Sequence, residues 1–420
     1  MLTVYHWATI TAGKYGRPAG FFAGWWNFLA WIFGASSITS ILGNQVVAMY
    51  AAFHPEFQAH AWHVFVAYIL CGWICCGTVL LANRALPKIE ILGGFLILAG
   101  VIITIIVCAV MPTTTGMGHA SNSFVWHEWS NGTGYTPNGF VFVAGMLNGA
   151  YAIGTPDAVT HLAEEIPHPS KNVPKAILAQ MVVGFWTGFL YLIAIFYAVN
   201  DLNAVLTSNS TFPIAEIYRQ ATGSAGGSVG LLIIAFLPTF GTAIGCYITA
   251  SRTFWTLSRD NATPGAKFFA RIHPTFHNPF NSIALCGVIC TIMGCIYVGS
   301  TTAFNAFVGS YVILSTLSYL SAILPHLLSK RNNVAPGWFW MKGGVGFAVN
   351  AVSVLYIMAF IVIFCFPFNM PVAAKTMNYA ALITGGCTLF VGAWWAVRRR
   401  GYVGPQLVPV GEEHLAKDAM

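Results

Sequence analysis

The chain has 420 residues, of which 57% are hydrophobic and only 7% charged. Soluble domains carry roughly 25% charged residues, so one large soluble core is excluded and the long apolar runs imply several membrane crossings. The net charge of +7 does not indicate nucleic-acid binding, because the basic residues sit between apolar runs and no basic stripe with aromatic platforms lies on a soluble segment.

Residues 1–20 lack the charged-then-apolar order of a cleavable signal peptide. A helical span needs about 20 mainly apolar residues. By that measure the chain predicts about ten spans, over 21–50, 62–82, 90–111, 140–162, 174–199, 228–251, 282–299, 303–327, 344–367 and 378–397. The transmembrane domain thus occupies 1–400, and the polar segment 401–420 is expected to be a disordered cytoplasmic tail. With the N-terminus inside, every Lys and Arg except Arg219 and Lys375 falls on the inner side, which predicts cytoplasmic termini at both ends. Two glycosylation sequons, at Asn131 and Asn209, fall in the outer loops of the same arrangement. A third, at Asn261, falls inside and precedes Pro264, and is read as chance.

Loop features complete the pattern. His54, His60 and His63 gather near an outer loop with poor spacing for a metal, and read as solvated. All ten cysteines lie in apolar runs and read as small packing residues, with no disulfide or zinc site expected. Pro213 to Glu216 marks the start of a short surface helix. The run Gly226 to Gly230 resembles a hydrolase elbow in spelling only, because it is placed in a Gly/Ser-rich outer loop with no preceding strand. The pairs Gly20 and Gly24, Gly145 and Gly149, and Gly241 and Gly245 suit close helix packing. With no catalytic constellation at one depth, and no nucleotide or metalloprotease motif, an enzyme and a cofactor are not expected.

The chemistry concentrates in 151–177, YAIGTPDAVTHLAEEIPHPSKNVPKAI. Of the twelve Asp and Glu residues, Asp157 is the one read at membrane depth. A carboxylate near a helix centre costs about 2.5–3.5 kcal/mol on insertion scales. By default it marks a substrate or ion path. The helix is expected to stop at Gly154, with Thr155 capping a new helix and Pro156 at its first position. Two readings of Asp157 stand side by side. It is a cap bonded to backbone N–H groups, or it also meets a substrate amine or a proton. His161 and Glu165 follow at steps of four on the same face. They suit a proton relay, or more simply the inner membrane surface with Lys and Arg partners. Pro167 to Lys171 reads as a rigid inner loop, with Asn172 capping the next span.

These residues resemble the amino acid–polyamine–organocation (APC) permease superfamily. The matching elements are Gly154 with Asp157-Ala158, Ala163-Glu164-Glu165, His168-Pro169 and Pro174-Lys175-Ala176-Ile177. Ser251-Arg252-Thr253 with Ser258-Arg259-Asp260-Asn261, and Asn278-Pro279-Phe280-Asn281, are similar to later inner-loop motifs of that family. The flavour is that of fungal amino acid, GABA and choline permeases. The resemblance implies an all-α, LeuT-like bundle of two inverted five-helix repeats plus two helices. Val4 to Ala8 looks like the run following the family's second span. The ten spans then count as three to twelve, and the chain reads as N-terminally truncated. By the same resemblance, substrate contacts would come from Tyr151, Ala152, Ile153, Gly154, Thr155 and Asp157, and from Thr239, Phe240 and Thr242 of the eighth span. Asn27, Trp31, Asn44, Asn148 and Asn305 are further polar candidates. The expected function is a plasma-membrane symporter of a small amine-bearing solute, an amino acid, GABA or choline. Protons and membrane lipid are its other partners, and the expectation excludes nucleic acid. The alternative is a truncated, non-transporting membrane protein that associates with a full-length permease.

Overall fold

The computed structural model describes residues 3–154, 156–163, 166–208, 210–374 and 376–405, and every regular element among them is helical. The long helices are α2 (Gly16–Ala51), α3 (Ala61–Leu81), α4 (Leu86–Thr114), α7 (Pro169–Tyr197), α10 (Ala225–Arg259), α12 (Phe280–Gly299), α13 (Thr301–Leu328), α14 (Gly343–Ile363) and α15 (Ala380–Arg398). Among the described residues these nine are long and apolar enough to cross a membrane. Shorter helices are α1 (Val4–Thr11), α5 (Asn122–Trp126), α6 (Asn138–Ile153), α8 (Leu202–Thr207), α9 (Ile214–Thr222) and α11 (Ala266–Phe269).

The fourth expected span, 140–162, is divided. Helix α6 ends at Ile153, and the chain resumes only as a 3-10 turn over Ala158–Leu162. The break falls at Gly154 as expected. The restart differs, because Pro156 lies in a turn ahead of the new element and Asp157 occupies its N-cap position. Thr155 lies outside the described residues, as do Glu164, Glu165, Asn209, Lys375 and the segment 406–420. The next helix also differs from expectation. It starts at Pro169, after His168 turns the chain with φ of 46°, so Lys171 and Asn172 are helical rather than loop and cap.

Helix α2 is the axis of the bundle. It runs for 36 residues, about 54 Å at 1.5 Å per residue, against a hydrocarbon core near 30 Å. It packs against α1, α3, α10, α12, α13 and α15. Its small residues permit that crowding, since helices in lipid gain contact by bringing backbones together. A Cβ at Gly24 would sit 2.7 Å from Leu257 and 2.9 Å from Tyr5, and one at Gly43 would sit 2.8 Å from the Val64 carbonyl oxygen. The expected pair Gly20 and Gly24 is thus at a real contact, and Gly241 faces Gly93 of α4. Gly145 and Gly149 meet nothing within 4 Å, so that pair holds no contact among the described residues.

Motif residues explain several joints. The buried Asn278 donates to the Val79 and Leu80 carbonyls at 3.0 and 2.9 Å, closing the end of α3. Ser224 caps α10 by accepting from the Gly227 amide at 3.0 Å, so Gly226 to Gly230 is helical rather than loop. Helices α12 and α13 are separated by Ser300, whose hydroxyl accepts from the Ala303 amide. The expected short helix after Pro213 is α9. Tyr402, placed in the expected tail, is buried on Phe21 and Trp395, and its hydroxyl donates to Tyr5, which donates to Asp260.

Candidate functional site

Asp157 is 3% exposed, and burying a carboxylate is tolerable only with partners. The partners come from three separate elements. From α2, the Asn27 amide donates to Oδ2 at 2.7 Å and the Trp31 indole N–H at 3.2 Å. From α13, the Tyr319 hydroxyl donates to Oδ1 at 2.5 Å. One turn on, His161 Nε2 lies 3.1 Å from Oδ2, and its Nδ1 lies 3.0 Å from Thr253 Oγ1 on α10. Among the described residues, the carboxylate makes no cap bond to backbone N–H groups. The capping reading is therefore corrected: side chains of distant helices satisfy Asp157, because the 3-10 turn lies in the packed centre where those side chains reach it.

The break itself is also held. The Tyr311 hydroxyl donates to the Gly154 carbonyl at 2.8 Å, and the Tyr151 hydroxyl donates to Ser37 Oγ at 2.7 Å. The Tyr151 and Tyr311 rings meet edge-on at 5.4 Å. Beside the break lies a cavity of about 610 Å³, reached by Gly154, Asp157, Ser315, Thr316, Tyr319 and Tyr356 with mainly apolar neighbours. Asn27 Oδ1, buried in the same network, lacks a hydrogen-bond partner among the described residues.

Residues 2–387 match the family model described as amino acid permease. The chain belongs to this amino acid permease family. The permease is 32% identical over 389 residues to a choline transporter of Saccharomyces cerevisiae, covering 91% of this chain and 67% of that protein. It is 28% identical to a 7-keto 8-aminopelargonic acid transporter of the same yeast, covering 89% of this chain and 70% of the relative. An amino-acid permease of Arabidopsis thaliana is 27% identical, with 96% of this chain and 80% of that protein covered.

Within the permease the expected site residues separate into two groups. Ile153, Gly154 and Asp157 border the cavity, and Tyr151 packs behind it on Tyr311. Ala152 is exposed and Thr155 lies outside the described residues. Thr239, Phe240 and Thr242 lie on α10 away from the residues that line the cavity. The Thr239 and Thr242 hydroxyls donate to the Ala235 and Pro238 carbonyls one turn before them, and Phe240 packs at the edge of the core. His161 was expected at the inner surface with basic partners. Its side chain is 2% exposed and pairs with Asp157 and Thr253 instead, because the turn carrying it runs under α10. Asn27 and Trp31, named among the polar candidates, prove to be partners of Asp157. Asn148 borders a smaller pocket with Tyr135 and Asn378. Tyr311 and Tyr319 were missed, and nothing distinguishes them in sequence from the other tyrosines.

Proposed function

We propose that the chain is a proton-coupled permease of a small amine-bearing solute, an amino acid, GABA or choline, working by alternating access around the break at Gly154. The carrying observation is that break, with a buried carboxylate in its turn and a cavity of about 610 Å³ at its side. Transporters of broken-helix type hold substrate where unwound backbone and helix ends offer carbonyls and dipoles. An ammonium group would be taken by such carbonyls, by the unmet Asn27 Oδ1, and by the faces of Tyr319 or Tyr356 through cation–π attraction. Tyr151, Ala152, Ile153, Gly154, Thr155 and Asp157 remain the proposed contacts on the broken span. Thr239, Phe240 and Thr242 would contribute in a conformation that brings α10 to the cavity. The distribution of Lys and Arg supports cytoplasmic termini at both ends, and the plasma membrane is the proposed location. The choline transporter among the relatives makes choline the first solute to test.

The test is uptake of labelled choline, GABA and a panel of amino acids by cells producing the protein and its Asp157→Asn variant. Saturable uptake of one solute, reduced at least about tenfold by the substitution, is the expected result, as for loss of one charge-assisted contact of about 1.5–3 kcal/mol. Undiminished uptake in the variant would remove Asp157 from the mechanism.

A further inference from the structure

We infer that Asp157, His161 and Thr253 together form a reversible binding site for one proton, with the Thr253 hydroxyl as its switch. This rests on the proton-coupled reading above and names the residues that would carry the proton.

The argument is one of hydrogen counting. The His161 ring is clamped at both ends, with Nε2 at 3.1 Å from Asp157 Oδ2 and Nδ1 at 3.0 Å from Thr253 Oγ1. The carboxylate oxygen also faces the N–H groups of Asn27 and Trp31, which can only donate. Nε2 therefore presents a hydrogen to an ionised Asp157. The other end is ambiguous for a physical reason. Thr253 Oγ1 lies 2.8 Å from the Thr249 carbonyl, one turn earlier in α10, as well as 3.0 Å from Nδ1. A hydroxyl has one hydrogen and two lone pairs. If that hydrogen points to the Thr249 carbonyl, Oγ1 accepts from an Nδ1–H and the ring is an imidazolium. If it points to Nδ1, the ring is neutral. Both states satisfy every atom of the chain Asp157–His161–Thr253 without moving a heavy atom, and they differ by one proton.

Among the described residues, the contacts around the pair leave this proton to it. From α13 the titratable groups facing it are the Tyr319 and Tyr311 phenols, which donate to Asp157 and to the Gly154 carbonyl. From α2 come the uncharged Asn27 and Trp31. On α7, which also packs against the turn, Lys175 places its ammonium 5.0 Å from the centre of the Trp338 ring. Loading the proton makes the turn a neutral imidazolium–carboxylate pair. Releasing it leaves one negative charge three residues after Gly154, at the wall of the cavity. The charge of the broken element thus changes by one where a cationic solute would arrive.

The test is nitrogen-15 NMR of histidine-labelled protein in lipid nanodiscs, with His161→Gln identifying the resonance. The expected result is a pH-dependent interconversion of His161 between the neutral Nε2–H form and the imidazolium. Thr253→Val removes the acceptor of the charged Nδ1–H and should weaken proton binding at least about tenfold, while Thr253→Ser restores it. A purely structural threonine would leave the titration of His161 unmoved, and that result, or a single form of His161 at every pH, overturns the site. Choline counterflow in proteoliposomes separates the two readings. Counterflow with a non-titrating His161 overturns the proton site and leaves the permease reading standing. Absent counterflow of choline, GABA and amino acids with a titrating His161 overturns the permease reading instead.

Discussion

At the scale of single residues, Asp157 separates charge from shape. In Asp157→Asn the amide oxygen can keep the donors Asn27, Trp31 and His161, and the new NH2 can donate to the Tyr319 hydroxyl, which is able to accept. Asp157→Leu leaves those donors buried and unpaired, at about 1–3 kcal/mol each, against a typical total stability of about 5–15 kcal/mol. The Asn variant should therefore elute from size exclusion as a single folded species in detergent, and the Leu variant should be largely lost to aggregation. Equal behaviour of the two would mean that the network does not support the fold. Asp157 and the break at Gly154 were legible in the sequence, because a lone acid and a helix breaker inside an apolar run conflict with the membrane unless they serve something. Its partners were legible only in part. Asn27 and Trp31 stand out as polar groups on an apolar span, but Tyr319 acts across 162 positions of chain, a pairing no local pattern encodes. His161 was misplaced in depth because hydropathy reports composition along the chain and not how far a tight turn tucks beneath a neighbouring helix.

At the scale of elements, close approach is carried by specific glycines. Gly43→Ala puts a methyl 2.8 Å from the Val64 carbonyl oxygen of α3, which is backbone and cannot rotate away. The expected cost is about 1–3 kcal/mol, as for overpacking. Gly145→Ala meets open space and should leave stability unchanged or raise it by up to about 1 kcal/mol through helix propensity. Thermal unfolding of the two purified variants decides this, and a Gly145 variant as unstable as the Gly43 variant would contradict the packing. Sequence spacing proposed Gly145 and not Gly43, since a small-residue pair states that close contact is possible and not that a partner is present. Span limits were legible to a few residues where apolar runs end in turn residues. The start of α7 was not, because Pro169 and Pro174 both read as breakers, although Pro169 takes the tolerated first position and Pro174 lies inside the helix.

At the scale of the whole molecule, the segment 399–402 after α15 closes a clasp over the N-terminal helix. Tyr402 fills the space between Phe21 and Trp395 and donates to Tyr5, while Arg17 donates to the carbonyls of Arg399 and Tyr402. Tyr402→Ala should cost about 3–5 kcal/mol, the range for removing a buried aromatic, and should speed amide exchange along α1. Tyr402→Phe loses one hydrogen bond and should cost about 0.5–1.5 kcal/mol. Hydrogen exchange followed by mass spectrometry reads both, and unchanged exchange in α1 for the Ala variant would show that the clasp is not mechanical.

The single residue between α12 and α13 sets a limit on how the bundle can move. Two peptide steps of about 3.8 Å each join Gly299 to Thr301 through Ser300, with the Ser300 cap fixing their direction. Helix α13 carries both tyrosines that grip the broken span, and α12 packs along α3. A displacement that frees Gly154 and Asp157 from those tyrosines is therefore geared: it must swing α12 as well, and α12 transmits the swing to α3. The two helices form a short-pinned lever, so opening the site and reshaping the far side of the bundle are one motion rather than two.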